Sequence, residues 1–102
     1  MKIDAVVRNN VLNISFNGEL DECTASYTRN YLDNAIKSNM YDYVVFDMSC
    51  LDFMDSTGIG VLLGRYKLLR SRQKESYIYN PSPVVEKIIN MSGIYEIMPK
   101  IS

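Results

Sequence analysis

The sequence predicts an α/β domain: a mixed β-sheet in the order β-β-α-β-α-β-α-β, with helices packed on the sheet. Two alternating stretches meet at Asn9-Asn10, the signature of a hairpin. Beyond them, short apolar stretches are separated by segments of helical length, so those strands must pair in parallel through crossovers. With 102 residues and 47% hydrophobic content, the chain suits one domain around one core.

Ile3, Ala5 and Val7 alternate with Lys2, Asp4 and Arg8, and Leu12, Ile14 and Phe16 alternate with Asn13, Ser15 and Asn17. Asn9 and Asn10 tolerate the positive φ of the tight turn between these strands, and Gly18 is expected to end the second. An acidic turn, Glu19 to Glu22, leads into a helix from about Cys23 to Lys37. Its buried stripe is Thr28, Leu32, Ala35 and Ile36, with Ala25 or Tyr31 beside them. Tyr43 to Phe46 is continuously apolar, as in a central strand covered on both faces. After it come a loop, a helix from Asp55-Ser56-Thr57-Gly58, and a strand at Ser76 to Tyr79. Ser82 and Pro83 start a short helix that Gly93 stops, and Tyr95 to Met98 reads as a last strand.

Composition excludes several function classes. The net charge of -1 lacks the basic excess that nucleic-acid binding requires. No apolar run approaches the ~20 residues of a membrane span, and no signal peptide precedes the first strand, so a cytoplasmic protein without a membrane partner is expected. With no histidine, imidazole zinc sites and Ser-His or Cys-His pairs are ruled out. Cys23 and Cys50 form no metal pattern and read as small, partly buried side chains in a reducing compartment.

The informative stretch runs from Phe46 to Lys67. Asp47, Asp52 and Asp55 surround the end of the central strand, and such carboxylates could hold Mg²⁺ in an aspartyl-phosphate receiver. No lysine or arginine lies in that loop to meet a phosphoryl group. A helix cap by Asp55 or Ser56 is the other reading. In the helix that follows, Ile59, Leu62, Tyr66 and Leu69 form the core face, while Gly60, Gly64, Lys67 and Ser71 lie opposite. Two interior glycines sacrifice about 2 kcal/mol relative to alanine, which suggests that something approaches the backbone closely. Leu63, Val61 and Leu68 are expected to give that strip an apolar rim. Arg65, Lys67 and Arg70 exclude a membrane role for the glycine pair. A phosphate on Ser56 would add about -1.5 to -2 charges where such a partner docks.

The run FMDSTGIGVLLGRYK, with Gly18-Glu19-Leu20-Asp21, Asn80-Pro81 and Met91-Ser92-Gly93-Ile94, resembles the anti-sigma-factor antagonists of the STAS family, closest to the sigma-F type of endospore formation. The resemblance implies a STAS-like fold, no catalysis and no cofactor. It implies that the unphosphorylated form binds an anti-sigma factor that is also an ATP-dependent serine kinase and so releases the sigma factor. Phosphorylation of Ser56 ends that binding, and a PP2C-type phosphatase restores it. On this reading Asp21, Asp55, Thr57 and Gly58 shape the docking loops, and Gly60, Leu63, Gly64 and Lys67 make the helix contact. A general-stress sigma pathway is the alternative partner system. Relatives often have a Gly-Gly turn where this chain has Ser71 to Glu75, and many continue into a further helix beyond the position of Ser102. The shorter end leaves room for a homodimer formed by strand exchange.

Overall fold

The computed structural model describes residues 1–102. Its elements are β1 (Lys2–Arg8), β2 (Val11–Leu20), α1 (Ala25–Ser38), β3 (Tyr43–Met54), α2 (Ser56–Ser71), β4 (Glu75–Tyr79), α3 (Pro83–Ser92), a 3-10 turn (Ile94–Glu96) and β5 (Lys100–Ile101). The strands lie side by side in chain order; β1 and β2 are antiparallel and all later neighbours parallel. Asn9 and Asn10 take φ values of 52° and 64°, as the two-residue hairpin requires.

One face of the sheet holds the core: Leu12, Ile14, Phe16, Val44, Phe46 and Ile78 are buried beneath the helices. Helix α1 buries Ala25, Thr28, Leu32, Ala35 and Ile36, the stripe that its periodicity predicts. The opposite sheet face remains open, contrary to the two-sided cover expected for Tyr43 to Phe46. There Tyr43 is exposed, and the continuous apolar run is explained locally: Val45 pairs with Tyr77, whose ring meets that of Tyr43 edge-on at 5.3 Å.

Strand β3 differs most from expectation. The sequence reads as a short strand followed by a loop before Asp55, yet the strand continues to Met54. Its buried residues Met48, Leu51 and Met54 recur every third position, which ordinary strand alternation cannot satisfy. Two bulges against β2 accommodate them, where the register shifts between Ser15 and Asn17 and between Gly18 and Glu19. Gly18, at φ 129°, accordingly sits within β2 rather than ending it. Beyond the last partners of β1 and β4, the β2–β3 ladder continues alone through Gly18–Leu51, Glu19–Phe53 and Leu20–Met54. This two-stranded overhang carries the start of α2.

The C-terminal segment also departs from the reading as a strand at Tyr95 to Met98. Gly93 ends α3 in the left-handed conformation as expected, but Ile94 and Met98 then point inward four residues apart around a 3-10 turn. Met98 N–H donates to the Ile94 carbonyl at 2.8 Å, and β5 follows only at Lys100. No helix is long and apolar enough to cross a membrane.

Candidate functional site

The β3–α2 junction contains no loop. Asp55 is its single connecting residue, extended at φ -116° and ψ -168°, and Ser56 is already the first residue of α2. The Asp55 carboxylate accepts from Thr57 N–H at 2.9 Å and Gly58 N–H at 3.3 Å, satisfying two of the helix's open donors. Ser56 therefore stands exposed at the positive end of the helix dipole.

A second turn lies beside it. The parallel register places Leu20 against Met54, so the residues after each strand become neighbours, and Asp55 N–H donates to the Leu20 carbonyl at 3.4 Å. Asp21 closes this turn by accepting from Cys23 N–H at 2.9 Å and Thr24 N–H at 3.2 Å. Gly58 locks the two turns together. A Cβ there would lie 2.4 Å from Met54 Cγ and 3.2 Å from the Leu20 carbonyl oxygen. Asp21, Asp55, Thr57 and Gly58 thus form one unit, with Gly58 buried inside it as a packing residue.

The outer face of α2 is bare. Nothing lies within 4 Å of a Cβ built on Gly60 or Gly64, so no later element of the chain packs there. Ser56, Gly60, Leu63, Gly64 and Lys67 follow helical spacing down this face, with Leu63 37% exposed and Lys67 exposed. The expected apolar rim is narrower than predicted. Val61 is buried and Leu68 packs against the core, because α2 touches both flanking helices as well as the sheet. Leu62 and Leu69 are buried as expected, while Ile59 and Tyr66 are partly buried against the core.

The extension of β3 separates the carboxylates considered for Mg²⁺. Asp47 lies at mid-strand, paired with Ser15 and Tyr79 and accepting from Ser49 N–H at 3.0 Å. The eight-residue advance to Asp55 corresponds to roughly 25 Å of strand. No three potential metal-binding side chains come together. Both cysteines are exposed rather than partly buried: Cys23 lies in the turn before α1, and Cys50 lies between the two bulges of β3, opposite Asn17.

Two features were not singled out from sequence. Phe53 is 40% exposed on the overhang opposite Glu19, an apolar surface three residues before Ser56. The only hint was an aromatic in a stretch expected to be a loop. Arg65, on α2, meets Asp33 of α1 at 3.0 Å. Burial lowers its pKa, with the Asp33 charge opposing and the Arg29 charge adding to the shift. This pair holds the inner sides of the two helices together.

The STAS domain family model matches residues 2–102. An anti-sigma F factor antagonist from Paenibacillus polymyxa is 36% identical over 99 residues, covering 97% of this chain and 85% of the relative. The structure resembles the anti-sigma factor antagonist SpoIIAA in its unphosphorylated form with a TM-score of 0.81 and 28% identity, covering 99% of this chain and 89% of the other. The Bacillus cell fate determinant SpoIIAA in its phosphorylated form matches with a TM-score of 0.72 and 27% identity, covering 99% and 92% of the two chains.

Proposed function

The chain belongs to the STAS domain family, and on that premise we propose that it is a non-catalytic anti-sigma-factor antagonist of the sigma-F type, working in the cytoplasm. Its unphosphorylated form binds an anti-sigma factor that is also an ATP-dependent serine kinase, and thereby frees the sigma factor. The kinase phosphorylates Ser56, binding is lost, and a PP2C-type phosphatase resets the protein. One observation carries this reading: an exposed serine, held at a helix start by Asp55, opens directly onto an uncovered glycine strip.

The chemistry of the junction supports a switch that acts on the interface. A phosphate of about -1.5 to -2 charges at the helix N-terminus is compatible with the dipole, so the fold survives modification. A partner lying on Gly60, Leu63, Gly64 and Lys67 would meet that dianion next to the Asp55 carboxylate that caps the helix. The likeness to proteins described as anti-sigma F antagonists, and to one known in both phosphorylation states, supports the same assignment.

Incubation with the cognate anti-sigma kinase and ATP should add one acid-stable phosphate, absent in Ser56→Ala. Phosphate elsewhere in that variant would refute the site, and an acid-labile acyl phosphate would point to an aspartyl receiver. Titration of both forms against the anti-sigma factor should show at least about a 100-fold weaker complex after phosphorylation, equivalent to about 2.7 kcal/mol. Pull-down of a general-stress anti-sigma factor instead would reassign the pathway.

A further inference from the structure

The first strand carries a feature unrelated to Ser56. β1 is a free edge of the sheet. Arg8 and Val11 close the two-residue hairpin, so alternation directs the backbone groups of Asp4 and Val6 toward β2 and those of Ala5 and Val7 outward. Along this edge Val6 is 42% and Val7 37% exposed.

Charges on an edge strand ordinarily keep other strands away. Here their spacing is self-complementary. In an antiparallel pairing with Val6 opposite Val6 of a second copy, each Asp4 lies opposite the other copy's Arg8 on the open sheet face. Each Ala5 then lies opposite the other copy's Val7 on the helix side, exchanging about four outward main-chain hydrogen bonds in all. The register centred on Ala5 would instead set Lys2 opposite Arg8 twice, a like-charge pairing. A groove of about 320 Å³ lies beside this edge, between β1 and α1, lined by Ala5, Tyr31, Asn34, Ala35, Ser38 and Asn39. It lies on the side where the second copy's Val7 enters.

We propose that β1 is a self-association edge, through which two copies pair antiparallel about Val6 and join their sheets. β2 separates this edge from β3 and the Ser56 junction, so each copy retains its own outer α2 face. The inference is independent of the regulatory reading.

Sedimentation equilibrium of the full chain from about 1 μM to about 1 mM should show a monomer–dimer equilibrium. Asp4→Arg alone, or Arg8→Asp alone, should weaken association about tenfold or more, since each brings like charges together twice. The double variant should restore it. Amide exchange at Ala5 and Val7 in the wild-type protein should slow with rising concentration, while exchange at Val6, bonded within the hairpin, should not respond. If a single variant fails to fold, the wild-type exchange pattern decides. A monomer throughout the range, a dimer indifferent to single reversal, a folded double variant that stays dissociated, or unchanged Ala5 and Val7 exchange in a dimer would each overturn the proposal.

Discussion

Two parallel strands pass the chain into a helix, and the two junctions are built differently. At the β4–α3 junction, Pro81 and Pro83 restrict the backbone, Ser82 caps the helix, and its hydroxyl also donates to the Leu51 carbonyl at 3.3 Å. At the β3–α2 junction a charged cap, Asp55, precedes an exposed hydroxyl, and the helix beyond it carries interior glycines on an uncovered face. The first arrangement suits a helix that only has to stay in place. The second gives up helix propensity of about 1 kcal/mol at each outward glycine. The contrast separates architectural glycine from surface glycine within one helix: Gly58 is needed inside, whereas Gly60 and Gly64 are unnecessary to the isolated fold.

The sharpest test of this contrast is alanine at each glycine. Gly58→Ala should destabilise the protein by about 1–2 kcal/mol through overpacking against Met54 and Leu20, despite alanine's better helix propensity. Replacing Asp55 by Ala should cost about 1–2 kcal/mol, against about 0.5–1 kcal/mol for Ser82→Ala. The Ser82 hydroxyl accepts from a single helix donor, Val85 N–H, at a long 3.5 Å. Gly60→Ala and Gly64→Ala should each raise stability by about 0.8–1 kcal/mol in denaturant unfolding while weakening partner binding. A gain in stability with unchanged affinity would remove the outer strip from the interface.

The smallest effect lies beyond the α3 junction, where Glu86 receives hydrogen bonds from Lys100 at 2.6 Å and from the Tyr95 hydroxyl. The bond from Lys100, then that from Tyr95, holds the Glu86 carboxyl below its usual 4.5, with burial opposing the shift. Its stabilisation should be full above about pH 4.5 and disappear as pH falls through the lowered folded value. Glu86→Gln should flatten that part of the stability–pH curve, leaving the β3–α2 junction unchanged.

Strict local periods made much of this fold legible. The hairpin alternates by two, α1 repeats at helical spacing, and Ser82-Pro83 and Gly93 bracket α3. The second half of β3 was illegible because its buried positions advance by three, a spacing that needs bulges against another strand. Ile94 and Met98 misled for a related reason, since their spacing of four belongs to a turn rather than a strand. Within the candidate site, a cap at Asp55 or Ser56 and the outward glycines followed from sequence spacing, and the structure assigns the cap to Asp55. The burial of Gly58 did not, because it depends on Leu20 lying opposite Met54. The inward packing of Val61 likewise depends on neighbours from three separate parts of the chain.

The β2–β3 overhang has a mechanical consequence. A modifying enzyme receives its substrate in a concavity, so an acceptor side chain must reach inward without the rest of its domain colliding with the walls. Continuing two strands beyond the neighbouring strands makes a stiff ledge, braced by its ladder, by the buried side chains of Leu20, Leu51 and Met54, and by the Ser82 hydroxyl on the Leu51 carbonyl. Ser56 sits at its tip. The phosphorylation proposed at Ser56 would then require no local melting, and its addition and removal would proceed on the intact fold.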